Sequence, residues 1–416
     1  MNVNVYPSNL QGAVFAPRSK SVMQRVLAAA LLTKGTTKVY LPCESADCLH
    51  VGQLIKDLGA QIEDHSDHLL IHGGLAPQAN ELHVGESGLG IRLFTSVAAL
   101  CDQEMTLTGE GSLLSRPVAF FDEVMPQLGA RCSSNNGMVP LTVQGPLKGG
   151  NIEIDGSMSS QFLTGLLMAL PLAVNNSVVK VNNLKSIPYI ELTIEVLKEF
   201  GIEIEHDDFK EFRIKGNQSY TPCEIYVDGD WSGAAFLMVA GAVASREGIL
   251  IEGLDNEFTQ ADESIKGALL FAGAKLSYQE EGIKVLGQRL KGFQFDATHC
   301  PDLFPPLAAL AAFCKGSSKI TGVSRLEHKE SNRGVAIQKE FAKAGIKVDL
   351  DGDVMTVHSG PIQEATLSSC HDHRMAMAAS ILGLGGAKIE IEDAEAIGKS
   401  YPLFFDDIED LGGKLD

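Results

Sequence analysis

One short pattern occurs six times along the chain. A helix-like tail runs into a glycine, and a strand-like start follows: "DLGAQIE" at 57–63, "QLGARC" at 127–132, "EFGIEIE" at 199–205, "FAGAKLS" at 271–277, "KAGIKVD" at 343–349 and "DLGGKLD" at 410–416. The shared glycines are Gly59, Gly129, Gly201, Gly273, Gly345 and Gly412, spaced 70, 72, 72, 72 and 67 residues apart. A near-constant period is the mark of a repeated structural unit. The glycine suits the left-handed position that follows a helix C-terminus.

About twenty residues before each copy lies a second recurring feature. It is a short strand-like run: "TTKVYLP", "EMTLTGE", "SVVKVNNL", "GILIEGL", "SSKITGV" and "AKIEIED". An apolar helical stretch precedes every one, so each unit reads helix, strand, helix, strand, with further strand before the next helix. The sixth unit stops at Asp416 after one short strand, and "NVNVYP" at the N-terminus can supply the strand it lacks. Six equal units divide most simply into two domains of three. The expected fold class is therefore α/β (α+β): two domains built of six helix–strand units. The first domain is expected over 13–227, and the second over 1–12 and 228–416, closed by the N-terminal strand.

Composition narrows the function. With 416 residues the chain exceeds one ordinary core, and 44% hydrophobic content is normal for a globular protein. The longest apolar run, "FLTGLLMALPLAV", is too short for a membrane span and contains Gly, Thr and Pro. "MNVNVYPSNL" lacks the basic start and apolar core of a signal peptide, so a cytoplasmic protein is expected. The eight cysteines are scattered without a CxxC pair, which argues for free, mostly buried thiols and against a zinc site. A formal charge of −19 argues against nucleic acid as a partner.

Against that acidity, "APRSKSVMQR" at 16–25 places Lys20, Ser21 and Arg25 at a helix start. Ser21 and Gln24 there fit a capping box. The other helix starts are similar: they gather Arg92, Arg116, Lys329, Arg333, Arg374 and Lys399. If both domains aim these ends at one cleft, an acidic protein holds one cationic pocket, suited to phosphate and carboxylate groups. Three motifs mislead. "GKS" at 398–400 has Asp393 where a P-loop needs glycine, and "GESGLG" at 85–90 has its glycines in the wrong order for a dinucleotide site. "HDH" at 371–373 has no further ligand cluster beside it, so a structural role is expected. Asp302, between Pro301 and the apolar helix "LFPPLAALAAF", is placed for a tuned acid or base. Asp372, close to Arg374, is expected to orient a neighbouring cation.

Seven segments carry a resemblance: "SKSVMQR", "GSMSSQFLTGLLMALPL", "IPYIELT", "PDLFPPLAALAAF", "HKESNRG", "DHRMAMAAS" and "KSYPLFF". In content and order the chain resembles the 5-enolpyruvylshikimate-3-phosphate synthases, enolpyruvyl transferases of the shikimate pathway, over nearly its whole length. The resemblance implies a two-domain inverse α/β barrel with three units per domain. It implies transfer of the enolpyruvyl group of phosphoenolpyruvate to the 5-hydroxyl of shikimate 3-phosphate, with release of phosphate, by addition and elimination. Asp302, Glu330 and Lys20 are the implied proton-transfer groups. Lys20, Ser21, Arg25, Ser159, Ser160, Gln161, Ser186, Tyr189, Asp302 and Lys329 are implied for shikimate 3-phosphate. Lys20, Gly88, Arg92, Arg116, Gln161, Arg333, Arg374 and Lys399 are implied for phosphoenolpyruvate. No metal or other cofactor is implied, the two substrates are the only partners, and a monomer is expected.

The chain also departs from the family pattern. The glycine loop usually reads close to "NAGTAxR" and here reads "ESGLGIR", with Glu86 for an amide and Leu89 for a hydroxyl. Asn332 stands where Asp is common, and Ile187 where a basic residue is common. The sister transferase acting on UDP-N-acetylglucosamine is the nearest rival, but its reactive cysteine has no counterpart in "GEGSLLSRP". A catalytically dead relative conflicts with the presence of Lys20, Asp302, Glu330, Arg333 and Arg374.

Overall fold

The computed structural model describes residues 1–254 and 257–416. All six repeat glycines follow a helix end with positive φ, from 74° at Gly201 to 110° at Gly59, so the same turn closes the second helix of every unit. Two kinds of helix alternate. Gly88–Ala98 is buried along its whole length, and Lys20–Leu32 is buried from Val22 to Leu32. Both are mostly apolar all round, and the polar residues they carry, Gln24, Arg25 and Arg92 among them, are buried too. The second helices are amphipathic: Ala46–Asp57 buries Asp47, Cys48, Val51, Leu54 and Ile55, a single stripe at helical spacing.

The strands form six four-stranded sheets. Each has one order: a parallel edge strand, a central strand, then two antiparallel strands. In one, Asn151–Asp155 pairs in parallel with Ser177–Asn182 across the helix Ser160–Ala169, since parallel neighbours need such a crossover. Val3–Tyr6 pairs antiparallel with Ile389–Glu392 and Lys414–Leu415, so the two ends of the chain complete one sheet.

The chain forms two compact units. The terminal unit comprises Met1–Pro17, Gly229–Asp255 and Gln260–Asp416, and the central unit comprises Arg18–Asp228 and Asn256–Thr259. A boundary at 12/13 would cut the strand Gly12–Phe15, which pairs in parallel with Ile249–Glu252 of the terminal unit. The passage lies instead at Pro17/Arg18, and the return at Asp228/Gly229. Phe258 and Thr259 side with the central unit because the Phe258 amide donates to Asp228 and Thr259 donates twice to Glu195. In the central unit, Leu27, Phe94, Phe121, Leu166 and Phe212 are fully buried or nearly so. Each large apolar side chain of that kind contributes roughly 1.5–3 kcal/mol relative to exposure. All eight cysteines are free thiols, five of them buried.

Candidate active site

In the central unit, the helix starts carry the cations. Ser19, not Ser21, caps Lys20–Leu32, its hydroxyl accepting from the Val22 amide. Gln24 thus falls outside the capping box and exchanges hydrogen bonds with Ser87, the cap of Gly88–Ala98. Lys20 Nζ pairs with Asp47 at 2.9 Å. Asp47 escapes sequence reading; its one trace is an acid in the first turn of the next helix.

Arg25 is buried and donates to Thr193 Oγ1 at 2.9 Å, to the Ser21 carbonyl at 2.7 Å and to the Tyr189 carbonyl at 3.2 Å. Its hydrogen-bond partners are neutral, and burial lowers its pKa to about 10. A guanidinium held by neutral acceptors keeps its full charge for an anion. Ser186, buried with φ 56°, opens the helix Ile187–Glu199 that supplies Tyr189.

Arg92 Nη1 donates to Gln161 Oε1 at 2.7 Å, and its Cζ lies 5.0 Å over the Phe162 ring. This contact depends on Gly165: a Cβ there would lie 2.5 Å from the Arg92 carbonyl oxygen, so the two buried helices can approach only without it. Ser159 caps the second of them through the Gln161 amide, and Ser160 is buried beside it. Arg92 also donates to the carbonyls of Gly88 and Pro117. The Arg116 guanidinium rests on Gly88, where a Cβ would lie 2.4 Å from its Cζ.

The departure at Glu86 has a structural use. Its carboxylate accepts from the Ser112 amide at 2.7 Å and lies against Gly111, whose φ is 54°. It fastens the turn Gly111–Ser115, from which Arg116 emerges. Leu89 is simply buried in the helix.

The terminal unit holds an ion cluster. Arg333, with a fully buried side chain, donates to Asp372 at 2.8 and 3.2 Å, to Asp302 at 2.6 Å and to Glu330 at 2.5 Å. Asp302 also meets Lys329 and Arg374, each at 3.1 Å. Burial alone would push the Asp302 carboxyl up, but Arg374, Lys329 and Arg333 together hold it well below the usual carboxylate range. With those three cations on it, Asp302 is held as a carboxylate. Burial lowers the Lys329 pKa, against the pull of Asp302. Asp372 caps the helix His373–Gly385 while gripping Arg333, and Asn332 caps Arg333–Lys343 through the Val335 amide, so the amide keeps the acceptor that an Asp would offer. Lys399 donates to the His371 carbonyl at 2.6 Å.

Asp262, missed in the sequence, is buried against Ser232. Burial, reinforced by the charge of Asp302, pushes it up to about 7. A carboxyl raised in the folded state stays protonated where the unfolded chain has already ionised, so its contribution to stability falls as pH rises from about 4 to about 7. Asp262→Asn is expected to flatten the fall in unfolding free energy between about pH 5 and 7. Denaturant titrations at both pH values measure this, and equal slopes for parent and variant refute it.

Each unit thus brings its own expected residues together: Lys20, Arg25, Gly88, Arg92 and Gln161 on buried helices, with Arg116 from the turn Gly111–Ser115, in one, and Asp302, Lys329, Glu330, Arg333 and Arg374 in one ion cluster of the other. The profile of EPSP synthase (3-phosphoshikimate 1-carboxyvinyltransferase) matches residues 5–408. The 3-phosphoshikimate 1-carboxyvinyltransferase of Clostridium kluyveri is 36% identical over 419 residues, covering 100% of this chain and 98% of the relative. That of Methanococcoides burtonii is 37% identical over 425 residues, covering 100% and 99%. The structure of EPSP synthase from Acinetobacter baumannii superposes with a TM-score of 0.82 at 26% identity, covering 100% and 99%. The enolpyruvyl transferase NikO from Streptomyces tendae shares the fold, with a TM-score of 0.80 at 16% identity over 100% and 98%. The chain belongs to the EPSP synthase family.

Proposed function

We propose that this chain transfers the enolpyruvyl group of phosphoenolpyruvate to the 5-hydroxyl of shikimate 3-phosphate, releasing phosphate, as a step of aromatic amino-acid biosynthesis. The observation that carries the reading is the Asp302 cluster: a buried carboxylate held by three cations, two of them arginines. In this reading Arg333 and Arg374, with Lys399, Arg92, Arg116, Gln161, Lys20 and Gly88, receive phosphoenolpyruvate. Lys20, Ser21, Arg25, Ser159, Ser160, Gln161, Ser186, Tyr189, Asp302 and Lys329 receive shikimate 3-phosphate. Fork-shaped guanidinium groups suit carboxylate and phosphate, and they supply the orientation that a two-substrate addition needs.

The chemistry follows in two stages. A base takes the proton of the 5-hydroxyl, an acid adds a proton to the methylene carbon of phosphoenolpyruvate, and the oxygen bonds to the central carbon. The tetrahedral adduct then loses a proton from its new methyl group, and the bond to the phosphate oxygen breaks. Asp302, Glu330 and Lys20 carry these protons. Asp302 is a weak base while three cations hold it. Anionic groups of the donor on Arg333 and Arg374 compete for those cations, so donor binding raises the basicity of Asp302 when the acceptor needs it.

Phosphate release from phosphoenolpyruvate, measured with shikimate 3-phosphate and separately with UDP-N-acetylglucosamine, tests the reading. Turnover with the first alone is expected. Turnover with the second alone, or with neither, overturns it. Among the described residues no helix is long and apolar enough to cross a membrane. We read the enzyme as cytoplasmic and monomeric; sedimentation at twice the mass of one chain would correct the latter.

Gly88→Ala provides a sharper check on the donor assignment. The added methyl must displace the Arg116 head, which lies 2.4 Å from its position. Loss of one hydrogen bond to a charged group costs about 1.5–3 kcal/mol, or roughly ten- to a hundredfold in KM for phosphoenolpyruvate. The KM for shikimate 3-phosphate should barely move. An unchanged donor KM removes Arg116 from the donor site.

A further inference from the structure

In the central unit, around the Gly85 loop that leads into the helix Gly88–Ala98, His50, His83 and Glu110 come from three separate segments. Each offers a ligand atom, and these atoms all lie within 4.8 Å of one another. We propose that these three side chains form a binding site for a divalent transition ion of the zinc class, with solvent completing the coordination. The proposal stands apart from the transferase reading and needs none of its assignments.

The first support is that each imidazole is already oriented by a partner outside the cluster. His50 Nδ1 lies 2.9 Å from the Ala46 carbonyl oxygen, which can only accept, so Nδ1 carries the proton and Nε2 keeps its lone pair. His83 Nδ1 lies 3.1 Å from Thr108 Oγ1, and a proton on that nitrogen likewise frees Nε2, which faces Glu110 Oε2 at 3.9 Å. A histidine whose outer nitrogen bonds a carbonyl or hydroxyl while the inner one points at a carboxylate has the outer contacts typical of a metal ligand.

The second support is the frame. His83 ends the strand Glu81–His83, which pairs in parallel with Glu104–Thr108 at His83 and Thr108. Glu110 follows that second strand, and its amide donates to the Gly85 carbonyl at 3.0 Å. Gly85 has φ 60°, and a Cβ there would lie 2.5 Å from His50 Nδ1, so the glycine lets the imidazole lie flat on the loop. Two paired strands, one helix and one backbone hydrogen bond therefore hold the donors on ordered elements.

The dimensions fit. Zinc bonds of about 2.0–2.2 Å in a tetrahedron set ligand atoms roughly 3.4 Å apart. The present separations, all within 4.8 Å, leave at most about 1.4 Å to close. Two imidazoles and a carboxylate are a borderline donor set, which favours zinc and its late first-row neighbours over calcium or magnesium. The three residues are 33 and 27 positions apart in sequence, so no motif search finds them.

The test uses the whole chain, stripped with a chelator and desalted, with zinc alone as the probe at neutral pH. Equilibrium dialysis should show one ion per chain that His50→Ala and His83→Ala each abolish and that Glu110→Gln weakens by about tenfold or more. Cobalt in place of zinc should give the visible bands of a four-coordinate site in the parent and none in His83→Ala. Zinc should raise the thermal midpoint of the parent and leave that of the His83 variant unmoved, because only the folded chain assembles the site. His50→Gln serves where His50→Ala fails to fold. No zinc bound by the parent would mean that His83 and Glu110 are an ion pair only, and an unchanged ion count in the histidine variants would mean that cysteines hold the metal; either result overturns the proposal.

Discussion

Asp302→Asn is expected to lower kcat by roughly two to four orders of magnitude, the scale of a lost general acid or base. The substitution keeps the size of the side chain and can keep an oxygen facing Lys329 and Arg333, but it loses the second oxygen that meets Arg374 and the negative charge that all three share. Two effects then separate. The proton acceptor is gone, so turnover falls. The donor's anionic groups no longer compete with a carboxylate for Arg333 and Arg374, so KM for phosphoenolpyruvate should fall or hold steady rather than rise. A variant that merely damaged the fold would lose turnover and donor affinity together. Steady-state kinetics with both substrates varied separates these outcomes, and a kcat within a few-fold of the parent excludes Asp302 from proton transfer.

Arg333→Met is expected to destabilise the protein by about 3–5 kcal/mol, the usual cost of leaving buried charge unpaired. Methionine replaces much of the volume but none of the five donors. Asp372, whose side chain is fully buried, loses its main partner, and Asp302 and Glu330 each lose their shortest contact with a cation. Arg333→Lys keeps the charge but cannot span three carboxylates, so it should fall between the two. The penalty should shrink under acid. Carboxyls buried without their cation take up protons more readily, so the deficit of Arg333→Met is largest near neutrality and declines as pH falls. Urea denaturation at neutral and acid pH measures it. A loss below about 1 kcal/mol would put the pair in the class of exposed salt bridges and contradict its burial.

The repeat was the most legible part of the chain because a helix-terminating turn has a strict local requirement. Left-handed φ at Gly59, Gly129, Gly201, Gly273, Gly345 and Gly412 is a property of single residues, so their spacing alone determined the number of units and the place of their helices. The first helix of each unit was legible as an apolar stretch, though the fold also buries Gln24, Arg25 and Arg92 within such helices. Cation positions at helix starts could also be read, since capping residues and arginines lie within one turn of each other.

Partnership between distant residues was decided by the tertiary structure. Ser19 rather than Ser21 caps the first helix because φ and ψ at the entry, not the choice between two serines, set where the helix begins. Asp47 meets Lys20 across 27 residues, and Glu86 fastens the Arg116 turn across 26. Asp302 shows the difference most plainly. Its neighbours in sequence are apolar and suggest a carboxyl raised by burial, whereas Lys329, Arg333 and Arg374, which the fold gathers from two other segments, hold it ionised. The Coulomb interaction depends on distance through space and on the loss of water between the charges. A linear sequence determines which groups are present and which turns they permit, but only the packed chain sets those distances.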